Sequence, residues 1–311
     1  MLTKKEKYIN FFTNPPKNYQ FVDTFCLYKC QNDKKVSNYD LFGFKTPFVI
    51  CKTCGLIRAS RFMDPKSLTD FYQNHYTKIF SDDYMEPKQF YDFQNKHSGD
   101  KWDVISLVKK DFFENDIIMD LGGCSGGVLD RIRNKSKCYL VDYDDKYLEY
   151  AKKKGISAIK GDIENVINED IKPDLIIMSH VVEHIVDLNH FLKRLKIVMK
   201  EKSLVYFEFP AIDSLKLGRS GNFLNELHIP HIYYFTSYWM KDFLVKNGFE
   251  ILYVDKHSRI IVKLNTANKT TKQKNYFYKT KLDIILGNMW FHSKENTLKR
   301  KFVNYINKKF D

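Results

Sequence analysis

Arginine is scarce in this 311-residue chain: of 51 basic residues only 8 are Arg and 43 are Lys. Recognition of bases and phosphates by planar, bidentate contacts favours Arg, so the net charge of +13 is a weak pointer to nucleic acid. Long apolar runs are lacking too. No stretch approaches the roughly 18 residues of a membrane span, and the opening MLTKKEKYINFFTNPPK has no apolar segment of the kind a secretory signal needs. Six cysteines are too few for a disulfide scaffold, so the expected compartment is a reducing cytoplasm. Repeats and low-complexity blocks are absent. Charge of one sign is missing from the middle of the chain, where residues 105–263 carry 24 basic and 23 acidic groups, and no broad basic groove is expected there. Residues 264–311, with 11 basic and 3 acidic groups, form a Lys-rich appendage.

What is present suffices for a large core: 43% of residues are hydrophobic and 15% aromatic, which excludes wholesale disorder. From Trp102 onward strand and helix patterns alternate: IIMDL, then GVLDRIRN as a helix, KCYLVD, DKYLEYAKKKG stopped by Gly155, SAIKGD and DLIIMSH. A helix from Asp187 follows with Leu188, Phe191, Leu192, Leu195 and Val198 on one face, then SLVYFEF, SYWMKDFLVKNG and two late strands, GFEILYVDK and SRIIVKL. Such alternation implies a parallel sheet covered on both faces, with the last two strands as an antiparallel edge. The expected fold is α/β, a doubly wound, mostly parallel seven-stranded Rossmann-like sheet. Three regions follow: 1–100, a cysteine-bearing module with connecting helices; 101–263, the α/β domain; and 264–311, a basic helical extension. Residues 80–100, polar and aromatic without clear period, read as a connecting segment.

DLGGCSGG, from Asp120 to Gly127, lies between a strand and a helix, where backbone N–H groups can hold an anionic group. A dinucleotide site would want GxGxxG. Here Cys124 stands where the second Gly belongs, and Asp120 ends the strand, unfavourable beside a pyrophosphate but useful beside an amino group.

The combination resembles motif I of the class I S-adenosylmethionine-dependent methyltransferases. By that resemblance Gly122, Gly123, Gly126 and Gly127 let the backbone approach the methionine moiety of the cofactor, and Asp120 contacts its ammonium directly or through water. Asp142, followed by Tyr143, ends the second strand and would accept from the ribose hydroxyls. Asp162 would accept from the adenine amino group with Ile163 packing beside the ring, and Ser179 and His180 match the loop after the fourth strand.

Cys26 and Cys30, with Cys51 and Cys54, are spaced for a structural tetrahedral zinc ion; the alternative is four free thiols in a small core. A four-cysteine module, then CxxCGL and a helix bearing FYxxxY (Phe71, Tyr72, Tyr76), then an EH pair (Glu183, His184) after the fourth strand, looks like the methyltransferases of sugar and surface-polysaccharide biosynthesis. In the branch acting on nucleotide-linked deoxysugars a later HEHxxYFS lies near the sugar. Here the text is IPHIYYFT, so His231, Tyr234 and Phe235 match, while Ile229 and Pro230 replace the first His and the Glu. With no room after residue 263 for that branch's further domain, the expectation is O-methylation of a sugar or sugar-linked group, on a glycan or small-molecule acceptor that includes nucleotide-linked sugars. An RNA methyltransferase and a non-catalytic scaffold are the competing readings.

A hydroxyl acceptor must lose its proton, and His is the natural base near neutral pH. The candidates are His231, then His180, then His228; the bland role for the loop histidines is to hold backbone. NPPK at Asn14 to Lys17 lacks a preceding strand, and the fourth-strand loop reads SHVV, which argues against methylation of exocyclic amines on bases. The tail stripe Leu298, Phe302, Tyr305 and Ile306 suits an anionic membrane surface, a partner protein or the chain's own body.

Overall fold

The computed structural model describes residues 3–80, 86–112, 114–217, 222–265 and 272–292. The first part opens with helix α1 (Lys4–Thr13), whose Thr3 hydroxyl accepts from the Glu6 amide while the Glu6 carboxylate accepts from the Thr3 amide, a reciprocal cap. Strands β1 (Phe21–Asp23), β2 (Asp33–Tyr39), β3 (Lys45–Cys51), β4 (Ile57–Ala59) and β5 (Arg61–Met63) follow. Then come helices α2 (Pro65–Asn74), α3 (Tyr76–Phe80), α4 (Pro87–His97) and α5 (Gly99–Val108). Pro65 starts α2 where its missing N–H costs nothing, behind an Asp64 cap.

The second part is the expected alternation. It runs β6 (Ile117–Leu121), β7 (Lys137–Asp142), α6 (Asp145–Lys153), β8 (Ser157–Lys160), α7 (Ile163–Asn168), β9 (Leu175–Ser179), α8 (Leu188–Val198), β10 (Leu204–Glu208), β11 (Tyr233–Tyr234), α9 (Ser237–Lys246), β12 (Phe249–Val254) and β13 (Arg259–Leu264), and α10 (Phe277–His292) closes the described chain. The large sheet has seven strands in the order β12-β13-β10-β9-β6-β7-β8. The five from β6 to β10 are parallel, β13 pairs antiparallel to β10, and β12 pairs antiparallel to β13 at the edge. Alternate residues serve opposite faces: Ile118, Leu140, Ile177 and Tyr206 enter one buried cluster, and Met119, Val141, Ile176 and Phe207 the other. That two-sided burial is why these strands read as continuous apolar runs. The five apolar positions predicted for the helix after Asp187 are all buried in α8. Because the chain moves outward from β6 through β7 and β8 and then returns to β9 on the other side of β6, the sheet has a crevice at the carboxyl ends of β6 and β9.

Two segments differ from the sequence expectation. GVLDRIRN is not a helix; it forms one 3-10 turn, Gly127–Arg131. The Val128 carbonyl, which a continuing α-helix would pair with Ile132, instead accepts from the Trp102 indole at 2.8 Å, and the Gly127 amide donates to Gln94 at 3.0 Å. The supposed connector contains α4, and its order comes from polar partners that a hydrophobic period does not register. Pro87 sits at the helix start, the Gln89 side chain accepts from the Glu86 amide, and Tyr91 and Asn95 bond to Asp130.

The two parts are stitched together. β11, from late in the chain, pairs with β4 and completes the four-stranded sheet β11-β4-β3-β2. Tyr8 of α1 bonds to Asp40 and accepts from the Ile229 amide. The start of the basic extension folds onto the body, with Phe277, Thr280, Asp283 and Leu286 buried at helical spacing and Asp283 accepting from Tyr238; the stripe from Leu298 to Ile306 lies outside the described residues. No helix among the described residues is long and apolar enough to cross a membrane.

Candidate active site

The turn between β6 and the 3-10 segment bends with Gly122 and Gly126 both at φ 76° and Cys124 at φ 51°, left-handed values that glycine adopts at no steric cost. Gly123 is required for a different reason. A Cβ there would stand 2.3 Å from the Asp120 carboxylate, so the turn closes directly over that side chain. Gln94 of α4 clamps it from outside, donating to the Gly123 carbonyl at 2.9 Å. Asp120 is 2% exposed and its Oδ2 has no hydrogen-bond partner; burial pushes its carboxyl up to about 7, against the opposing pull of Lys101. A buried, unpaired acid under a glycine turn is a site for a cationic group.

Asp142, at the end of β7, accepts from the Cys124 amide at 2.8 Å and from the Tyr143 and Asp144 amides at 2.7 and 3.1 Å. It thereby ties the glycine turn to the second strand. Burial raises its carboxyl despite these bonds. Asp162 caps α7 through the Glu164 amide and accepts from the Tyr143 hydroxyl at 2.8 Å, with Ile163 buried beside it. The acids, the turn and Tyr143 thus lie in one row across the carboxyl ends of β6, β7 and β8, which fits an elongated ligand with an ammonium at one end, hydroxyls in the middle and a flat ring at the other.

On the β9 side, Ser179 donates to Glu208 at 2.8 Å, and Glu208 is paired with Lys101 of α5. Burial alone would raise Glu208, but the Lys101 ammonium holds it below the usual carboxylate range. His180 follows at φ 58°, a left-handed conformation unusual for a side-chain-bearing residue. Its side chain is 43% exposed, and its Nδ1 lies 3.4 Å from Glu183 Oε1.

Behind His180 lies a buried polar cluster. Glu183 and His184 occupy a 3-10 turn, Val182–His184, and the Ile232 amide donates to the Glu183 carbonyl at 3.0 Å, bringing the His228–His231 turn against them. His228 and His231 lie with ring centroids 3.8 Å apart and planes tilted by 46°, and His231 and His184 meet edge-on at 4.7 Å. Burial holds His228 down to about 3 and pushes His184 and His231 below the ordinary imidazole value. Tyr72 of the FYxxxY helix reaches His184 Nδ1 at 2.7 Å. Tyr76, half-buried, lies near enough to feel the charges of Glu183 on this side and of Cys124 and Asp142 on the other.

The two cysteine pairs converge, with all four Sγ atoms within 4.8 Å of one another and Cys26 Sγ 3.4 Å from Cys54 Sγ. Sulfurs around one zinc at about 2.3 Å stand about 3.8 Å apart in a tetrahedron. Cys51 accepts from the thiols of Cys26 and Cys54 and from the Thr53 and Cys54 amides, which holds it far below the ordinary thiol value. Gly55, at φ 83°, has no room for a Cβ, which would meet the Tyr276 backbone at 2.7 Å.

Every cofactor residue expected from the sequence thus comes to the carboxyl edge, and all three candidate bases lie beside it. Gln94, Lys101 and Glu208 were not foreseen. Glu208 carried a signal, an acid ending a parallel strand next to Ser179, whereas Gln94 sat in a segment read as a connector.

Residues 100–254 match the family described as "Methyltransferase domain". Among curated proteins the chain is 27% identical over 139 residues to carboxy-S-adenosyl-L-methionine synthase 1 from Yersinia pseudotuberculosis, covering 40% of this chain and 54% of that protein. The chain therefore spans about half the length of the curated relatives it matches. Among solved structures, an S-adenosylmethionine-dependent methyltransferase from Clostridium acetobutylicum is 17% identical with a TM-score of 0.44, covering 57% of this chain and 98% of its own. The PH0226 protein from Pyrococcus horikoshii is 15% identical with a TM-score of 0.45, covering 63% and 96%. Residues 100–254 thus resemble a methyltransferase domain, and the mostly parallel seven-stranded sheet that carries them is the α/β methyltransferase fold.

Proposed function

We propose that this enzyme O-methylates a sugar or a sugar-linked group in capsule, lipopolysaccharide or nucleotide-sugar biosynthesis. The observation that carries the reading is the juxtaposition of His180 and the Glu183 carboxylate with the aromatic-walled edge formed by Tyr72 and Tyr76, immediately beside the cofactor row. A proton acceptor among aromatic rings suits a hydroxyl on a sugar ring.

The residues divide the work by position. Asp120 receives the ammonium of S-adenosylmethionine, Asp142 its ribose hydroxyls, and Asp162 with Ile163 its adenine. The cofactor supplies an electrophilic methyl group on a sulfonium. The protein's part is alignment, exclusion of water and removal of the acceptor's proton. Of the three histidines, His180 has the most exposed ring and stands at the carboxyl edge, with Glu183 Oε1 3.4 Å from its Nδ1. It is the proposed base, with His231 and His228 forming the wall behind it. The Lys101–Glu208 pair fixes Ser179 and the end of β10 at the same edge. In the N-terminal module Cys26, Cys30, Cys51 and Cys54 hold a structural zinc ion, so elemental analysis of protein purified without chelator would find one equivalent more than in a Cys51→Ser variant.

Calorimetry with S-adenosylhomocysteine tests the cofactor assignment: Asp142→Ala is expected to weaken binding about thirtyfold or more, since a charged acceptor of two hydroxyls contributes about 1.5–3 kcal/mol per bond. Unchanged affinity would remove Asp142 from the site. For the base, His180→Ala is expected to abolish turnover while leaving that affinity within about twofold. For the acceptor class, mass spectrometry of surface glycans with and without the protein should differ by one methyl group. Retention on heparin or RNA at physiological salt would favour the nucleic-acid reading instead.

A further inference from the structure

Glu183 is 1% exposed, and neither of its carboxylate oxygens makes a hydrogen bond. A buried carboxyl group with neither oxygen hydrogen-bonded costs free energy, which a bound cation would offset. Beyond His180, its near neighbours are Nε2 of His231 at 3.9 Å and Nε2 of His184 at 4.0 Å. These separations are too long for hydrogen bonds. Three donor atoms of metal-ligand type therefore face one another across a gap, all within 4.8 Å. Nitrogen and oxygen ligands at about 2.0–2.2 Å from one zinc-like ion stand about 3.3–3.6 Å apart, so the two Glu183 separations would close by a few tenths of an ångström and the two imidazoles, within 4.8 Å, by up to about 1.5 Å.

The outer contacts prepare this arrangement. His184 Nδ1 lies 2.8 Å from the Pro230 carbonyl oxygen, which can only accept, so Nδ1 carries the proton and the Nε2 lone pair is left bare toward Glu183. A ligating histidine usually has its second nitrogen fixed in this way. The spacing in sequence fits as well: Glu183 and His184 are adjacent on a 3-10 turn, and the Ile232 amide to Glu183 carbonyl bond brings His231 to them.

We propose that Glu183, His184 and His231 bind a divalent first-row cation of the zinc type, separate from the cysteine cluster. Two imidazoles and one carboxylate leave a fourth position open, the pattern of a catalytic rather than a structural zinc. This deepens the methyl-transfer reading and rests on it for its role. An acceptor hydroxyl bound at the open position would give up its proton to His180 more readily.

The test uses the full chain equilibrated with zinc and freed of excess by gel filtration. Wild type is expected to retain one more zinc per chain than Glu183→Gln or His184→Gln, and each variant to bind that zinc more than tenfold more weakly; equal zinc content in all three would overturn the site. If the variants fail to fold, cadmium-113 resonance of the wild-type chain decides. A signal in the range of nitrogen and oxygen ligation is expected, apart from any thiolate signal, and its absence would sink the proposal. Calorimetry with S-adenosylhomocysteine on the same preparations separates the two readings. Zinc at this cluster without cofactor binding supports the site and overturns its catalytic role, whereas cofactor binding without this zinc overturns the site and leaves the methyl-transfer reading standing.

Discussion

Asp120 shows how a single side chain can be sacrificed for binding. Its carboxyl, raised by burial to about 7, favours the protonated form in the folded protein. The stability this provides is fully present below the unfolded value near pH 4 and lost as pH rises through 7. Asp120→Asn should therefore be more stable than wild type at pH 8 by something of the order of 4 kcal/mol, with the difference shrinking on acidification and vanishing near pH 4. Urea unfolding across that range would show it, and a pH-independent difference would mean the charge is not the cause. The same variant should bind S-adenosylhomocysteine more weakly if, as proposed, the charge that costs stability is the one that receives the cofactor's ammonium.

At the level of elements, the glycine turn is held from outside by α4. A Cβ on Gly127 would lie 2.1 Å from the Tyr91 carbonyl oxygen, a backbone atom that can move only if the whole helix does. Gly127→Ala is expected to lower stability by more than about 2 kcal/mol and to reduce cofactor affinity together with it. Gln94→Ala removes two hydrogen bonds to the turn and should cost about 1–2 kcal/mol with a smaller loss of affinity. Differential scanning calorimetry and titration on both variants would check the order. In α8 the apolar face is core in the plain sense: Leu195 is fully buried, and Leu195→Ala should cost about 2–5 kcal/mol without changing cofactor affinity.

For the whole molecule, the consequence of β11 pairing with β4 is that the cysteine module and the histidine loop are one structure. Tyr233 and Tyr234 pair with Arg58 and Ile57, a few residues beyond Cys54. Removing a metal from the cysteine cluster with a chelator should therefore lower the melting temperature and also raise hydrogen exchange in residues 228–236, while β6 and β7 stay protected. Loss of protection confined to residues 20–60 would show that the module and the loop are independent.

Much of this was legible along the chain, because a parallel sheet buried on both faces writes itself as apolar runs and a helix with one buried face writes itself as a period. Leu188, Phe191, Leu192, Leu195 and Val198 were marked as one face before any contact was known, and all are core. Asp120, Asp142 and Asp162 were marked by ending strands next to glycine or a helix start, and the parallel sheet carries all three to one edge. α4 was not legible, since polar bonds to partners more than thirty residues away order it, and no local period encodes them.

What the sequence determined by itself is therefore the sheet, the cofactor row and the pairing of cysteines at metal spacing, because each depends on residues close together along the chain. Only the tertiary structure decided how the histidines are arranged. His184 and His231 are 47 positions apart in the sequence, and their meeting around Glu183 depends on backbone bonds and on the pairing of β11 with a distant strand. Burial, a property of the assembled molecule, then pushes those imidazoles below their ordinary value and leaves the Glu183 carboxyl without a hydrogen bond.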